Sequence, residues 1–151
     1  GKPKRERMIE ATLKVMTYST VAVEAGSIVW GRSFLPKVCA WCGVAVTAVG
    51  VAFFVAAVLT MRDSWRAGIS PAEKTELVTG GVYEISRNPA FVGFDLTYIG
   101  LCLSFANALN IAFALMTMIL FHLQILQEEK FLLSRRDIDY ASYMHRVRRY
   151  L

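Results

Sequence analysis

Tyr83, Glu84, Ser86, Arg87 and Asn88 stand almost in a row between a glycine pair, Gly80-Gly81, and Pro89. So many hydrogen-bonding groups beside an apolar run form a candidate site for a polar ligand. The alternative is an interfacial loop whose tyrosine and arginine anchor it to headgroups. A second polar group follows much later, at Glu128-Glu129. Adjacent helical residues diverge by about 100°, so one glutamate can face a site while the other meets Arg87 or an arginine of the tail. Asp95 interrupts an otherwise apolar run, and His122 and Gln124 sit late in another. An ionisable group at that depth is a site candidate, with a structural partner on a neighbouring helix as the alternative. A polar pocket against apolar helices can take a soluble polar cofactor from one side and a lipid-like substrate from the other.

The elements that must position these groups follow from the apolar pattern. Of the 151 residues 55% are hydrophobic and the mean hydropathy is +0.41, with 19% charged. The apolar residues come in runs, which indicates an integral membrane protein with charged connections. Residues 38–61 carry no charge up to Met61, long enough to cross a hydrocarbon core of about 30 Å. Gly43, Ala45, Ala48, Gly50 and Ala52 offer small surfaces for close packing there. Residues 8–30 form a weaker span, interrupted by Glu10, Lys14 and Glu24, that either crosses the membrane or lies in its interface. Glu24 is costly in lipid and is expected to face protein or water. Residues 91–105 and 111–126 read as a helical hairpin with its turn at residues 107–110. The polar stretch that starts at Arg62 carries Trp65 and Arg66 as expected interface anchors.

Gly80 and Gly81 take positive φ cheaply and mark a tight turn. Pro89 pushes Asn88 out of helical geometry and suits the first turn of the next helix. The tail, with Ile138, Tyr140, Ala141, Tyr143 and Val147 between charges, suggests an amphipathic helix at the membrane surface. The expected fold is therefore all-α: an integral membrane bundle of about four transmembrane helices plus a C-terminal amphipathic helix. The net charge of +5 fits topology and headgroup contact, and no aromatic-interleaved basic stripe argues for nucleic acid. Basic ends and a basic central region place both termini in the cytoplasm of a multi-pass, bacterial inner-membrane protein. The mildly basic connection at Arg32 and Lys37 counts slightly against that orientation. Cys39 and Cys42 form a C-x-x-C pair inside an apolar helix, where small buried apolar residues are expected rather than a redox couple. No metal-ligand cluster is expected. The basic start is not followed at once by an uninterrupted apolar core, so no cleavable signal peptide is expected.

Leu77-Val78-Thr79-Gly80-Gly81-Val82-Tyr83, then Arg87-Asn88-Pro89-Ala90-Phe91-Val92-Gly93, Glu128-Glu129-Lys130-Phe131-Leu132, and Tyr140 with Tyr143, Val147 and Arg149 resemble the isoprenylcysteine carboxyl methyltransferase and phospholipid methyltransferase superfamily. The resemblance implies a cytosolic S-adenosylmethionine pocket and a lipophilic acceptor, carboxylate or amine, entering from the bilayer. It assigns Leu77, Val78, Tyr83, Asn88, Pro89, Ala90, Phe91 and Glu128 to the cofactor, and Glu129 beside Glu128 is expected at the same site. It divides the chain into scaffold helices, 1–61, and a cofactor-binding and catalytic region, 62–151. The sequence departs from the superfamily's pattern at Asn88, usually histidine, at Phe91, usually tyrosine, and at Arg136-Asp137, usually Phe-Gly. An arginine that meets the carboxyl substrate would align near Gln124, which argues against isoprenylcysteine as acceptor.

Glu128 is expected on the cofactor's ammonium or ribose, because a carboxylate on the sulfonium would favour the ground state over the transition state. Arg87 is expected on the cofactor carboxylate or holding Glu128. An amine acceptor needs a base, for which Asp95, His122 and Glu129 are the candidates, and Asp95, His122 and Gln124 form the expected acceptor side. Two other functions compete. One is an NADPH-dependent reductase like the membrane sterol reductases, with Arg135, Arg136, Arg146, Arg148 and Arg149 as a phosphate-binding cluster. The other is a non-catalytic membrane scaffold.

Overall fold

The computed structural model describes residues 3–61, 77–135 and 138–151. Among them are five α-helices: α1 Lys4–Trp30, α2 Lys37–Met61, α3 Pro89–Ser104, α4 Ala108–Ser134 and α5 Tyr140–Arg146, with a 3-10 turn at Gly81–Glu84. Trp65, Arg66 and the Arg136-Asp137 pair lie outside the described residues. Two helices, α2 and α4, are long and apolar enough to cross a membrane, where the sequence suggested about four spans. At 16 residues α3 is apolar but shorter, about 24 Å at 1.5 Å per residue. The first half of α1 is diluted by Lys4, Arg5, Glu6, Arg7, Glu10 and Lys14. The amphipathic surface helix expected in the tail is instead the short α5, whose Tyr140 and Tyr143 are buried.

The helices pair as α2 with α3 and α1 with α4. Gly43 lies against Gly100, and Gly50 against Gly93. Rising numbers on one helix thus meet falling numbers on the other, and the two run antiparallel. Gly43, Gly50 and Ala57 are the buried residues of α2. Ala45, Ala48 and Ala52, also expected to pack, are exposed. The rotation that turns Gly43 inward also leaves Cys42 exposed, and with Cys39 and Cys102 half-buried all three thiols are free.

The α1–α4 contact is polar. Thr20 and Thr117 share a hydroxyl hydrogen bond of 2.7 Å, and the Asn107 amide donates to Ser27 Oγ at 3.0 Å. Glu24, between them on α1, is buried against protein as its cost in lipid requires. The two pairs meet where Phe121 of α4 packs on Phe91, Phe94 and Tyr98 of α3.

The turn before α4 is tighter than the sequence suggested. Asn107 caps the helix, its Oδ1 accepting from Asn110 N at 2.8 Å. Asn110 thereby joins the first turn, and its amide reaches back to the Phe105 carbonyl at 3.1 Å. At the same end, Phe34 N donates to the Ala106 carbonyl at 3.1 Å, joining the α1–α2 link to the α3–α4 link. The loop from Leu77, the last turns of α4, and α5 gather at the opposite end.

Candidate functional site

The glycine pair divides its labour. Gly80 is extended, with φ −87°, and only Gly81 is left-handed, with φ 58°. A Cβ on Gly81 would come 3.1 Å from the Thr60 side chain, so the turn also sits close on the end of α2. Asn88 is non-helical, with φ −133°, and Pro89 opens α3.

The C-terminal tail is strapped along this loop. Arg87 N donates to the Arg148 carbonyl at 3.0 Å. The Asn88 amide and Ser86 Oγ both donate to the Arg149 carbonyl, at 3.0 and 3.4 Å. Tyr143 donates its hydroxyl to the Tyr83 carbonyl at 2.6 Å. Asn88 therefore spends amide capacity on the tail, and Tyr83 presents its carbonyl to Tyr143. Leu77, Val78 and Ala90 pack on the cluster of Ala57, Tyr83, Tyr140 and Tyr143. Pro89 is fully buried, and Phe91 stands 5.4 Å from the Phe121 ring.

Burial raises the Tyr83 and Tyr143 hydroxyls above the usual tyrosine value, with smaller contributions from neighbouring charges and phenols. The fold therefore favours the neutral phenol. Its contribution is fully present below the unfolded value of about 10 and is lost as pH rises through the folded one. Tyr143→Phe leaves the Tyr83 carbonyl without this donor and is expected to cost about 1–2 kcal/mol. Unfolding curves for both proteins between neutral and strongly alkaline pH check this: the wild type's advantage must shrink above about pH 10.

Glu129 is the hub of the charged cluster. Arg149 grips it with two parallel bonds, Nε to Oε1 and Nη2 to Oε2, each 2.9 Å. Arg87 Nη1 lies 3.2 Å from Oε1, and the Arg87 and Glu129 side chains are each only 7% exposed. The hydrogen bond to Glu129 raises the Arg149 pKa and so holds that guanidinium firmly protonated. The sequence left Arg87 to the cofactor carboxylate, to Glu128, or to whichever glutamate of the pair turns from the site; in the structure it pairs with Glu129. Glu128 lies within electrostatic reach of Tyr83 and Tyr140.

Deeper along α4 and α3 lie the remaining polar groups. Gln124 is buried, and its amide is 3.5 Å from Glu128 Oε1. Its Oε1, both polar atoms of Gln127 and Asp95 Oδ1 are buried without a hydrogen-bond partner among the described residues. His122 Nδ1 is 2.6 Å from the Tyr150 hydroxyl. The structure thus gathers the sequence-derived residues at one end of the bundle, with Asp95 and His122 further in. Sequence reasoning left Arg149, Tyr143, Tyr150 and Gln127 out of the site. Arg149 is 20 residues from its partner and Tyr143 is 60 from its own, distances at which spacing carries no signal.

No curated protein and no solved structure matches the chain. Residues 38–135 match the model of a protein family described as phospholipid methyltransferase. The match spans α2, α3 and α4 and takes in Tyr83, Arg87, Asn88, Asp95, Glu128 and Glu129. It covers well over half the sequence, and the chain therefore belongs to the phospholipid methyltransferase family, membrane enzymes that use S-adenosylmethionine to methylate a lipophilic acceptor.

Proposed function

We propose that the protein methylates an amine in a lipid headgroup, where the Tyr83 loop, the end of α4 and the tail meet. Gln124 carries the choice of amine over carboxylate. It is neutral, 2% exposed, and its buried Oε1 has no hydrogen-bond donor among the described residues. The carboxyl-directed branch would place an arginine near this position. An orphaned acceptor suits an ammonium or amine and repels a carboxylate. Isoprenylcysteine, the other substrate class of the superfamily, fits this lining poorly.

S-adenosylmethionine supplies the methyl group as a sulfonium. The residues present suit it. Glu128, within electrostatic reach of Tyr83, would hold the cofactor's ammonium or ribose hydroxyls. The buried amide of Gln127, with donor and acceptor both unused among the described residues, complements the donor–acceptor edge of an adenine. Arg87 and Arg149 hold Glu129 and thereby fix the wall. Catalysis is mainly positioning, because an in-line displacement needs the two reacting atoms close and aligned. Helices α1 to α4 span the bilayer, both termini face the cytoplasm, and residues 1–61 serve as scaffold for the site built from 62–151. An NADPH phosphate would need Arg149 free, and Arg149 is committed to Glu129.

Calorimetric titration of the purified protein in detergent tests the donor site. S-adenosylmethionine is expected to bind saturably, and Glu128→Ala to weaken it about tenfold, the loss of one hydrogen bond to a charged group. Unchanged affinity in the variant removes Glu128 from the site. Mass spectrometry of phosphatidylethanolamine vesicles incubated with protein and donor is expected to show lipids heavier by successive methyl groups. Binding of NADPH in place of S-adenosylmethionine would point to the reductase, and binding of neither to a scaffold.

A further inference from the structure

Methylation of an amine raises a question that positioning does not answer. A lipid amine in water is an ammonium without a lone pair, and the ordinary amine value is about 10. It must lose a proton before it can attack. Glu129 is poorly placed to take it, since both its oxygens already accept from guanidinium donors. Glu128 is assigned to the cofactor. Asp95 is different. It lies on α3 within two turns of Pro89, and its buried Oδ1 has no hydrogen-bond partner among the described residues. Phe91 and Tyr98, on the same side of α3, both pack on Phe121 of α4.

The surroundings of Asp95 lead outward. The Tyr150 hydroxyl lies within electrostatic reach of Asp95 and is 2.6 Å from His122 Nδ1. The groups that bear on Asp95 and Tyr150 are Tyr98 on α3, Glu24 on α1 acting on Tyr98, His122 on α4, and Arg149 and Glu129 behind Tyr150.

We propose that Asp95 is the proton acceptor for the lipid ammonium. The proposal rests on the amine-methylating function given above. The ammonium gives its proton to the Asp95 carboxylate, which becomes a neutral acid, and the amine recovers its lone pair. The new N–C bond then forms as the donor's S–C bond breaks, with that electron pair remaining on sulfur. The product nitrogen carries the positive charge that sulfur has lost. Asp95 then gives its proton to water and returns to the carboxylate. Gln124 meets the same amine without taking its proton.

The test uses the full chain in phosphatidylethanolamine vesicles, with methyl transfer followed from about pH 6 to 10 and S-adenosylmethionine affinity measured separately by calorimetry. Asp95→Asn is expected to lower kcat about 100-fold near neutral pH, the ordinary worth of a general base, and to leave donor affinity unchanged. Its deficit shrinks as pH approaches the amine's own value, because solvent then removes the proton. Asp95→Glu restores part of the rate. Asp95→Asn within twofold of wild type, or a deficit equal at every pH, overturns the proposal while the methyltransferase function stands. A wild type that binds no S-adenosylmethionine, or methylates no amine, instead overturns the function itself.

Discussion

Glu129→Ala is expected to destabilise the protein by about 3 kcal/mol or more and to abolish saturable S-adenosylmethionine binding. The carboxylate compensates two guanidiniums of different exposure. Arg87 is 7% exposed, so losing its partner leaves a buried cation, the situation in which breaking an ion pair costs about 3–5 kcal/mol. Arg149 is 35% exposed, and water recovers much of its charge, so it adds little. The structural loss is larger than the electrostatic one suggests, because Arg149 carries the carbonyl that Ser86 and Asn88 hold. Releasing its side chain loosens the strap between tail and loop. Arg149→Ala provides the internal control. It removes the exposed partner only, and is expected to cost about 1 kcal/mol. Denaturant unfolding in mixed micelles measures both; equal costs for the two variants would show that Arg87 is not the cation at risk.

Gly50→Leu is expected to separate α2 from α3, at a cost of about 3 kcal/mol. A Cβ at Gly50 would stand 2.7 Å from the Gly93 carbonyl oxygen and from Thr97 N. Both are backbone atoms of α3 and cannot swing aside, so the helices must move apart. Close approach of small residues is a main source of helix association in lipid, where no hydrophobic effect between helices replaces it. Loop and site follow, because Gly81 rests on Thr60 at the end of α2 while Pro89 opens α3. Donor affinity should therefore fall with stability. Ala48→Leu, on the exposed face of the same helix, is expected to change neither measurably. Thermal unfolding of the two variants, with calorimetry of the donor, separates a packing effect from simple hydrophobic substitution.

Local chemistry made much of this protein legible in the sequence. Uncharged runs mark α2 and α4 because a helix in lipid must be apolar for some twenty residues. Pro89 announces the start of α3 through backbone rules that act over a few residues. Glu24 had to face protein, because lipid gives a carboxylate no partner.

Rotation and long-range pairing belong to the tertiary structure. Five small residues of α2 looked equally fit to pack; only the azimuth set by Gly93 and Gly100 on α3 selected Gly43 and Gly50 and left the alanines outside. Glu128 and Glu129 are chemically alike, and the sequence required only that they diverge. Which of them meets the arginines depends on how α4 is turned against α1 and α3, through contacts at Thr117 and Phe121. The tail closes on the loop across 57 to 63 residues. No local preference reaches that far, so Tyr143, Arg149 and Tyr150 became part of the site only when the chain folded.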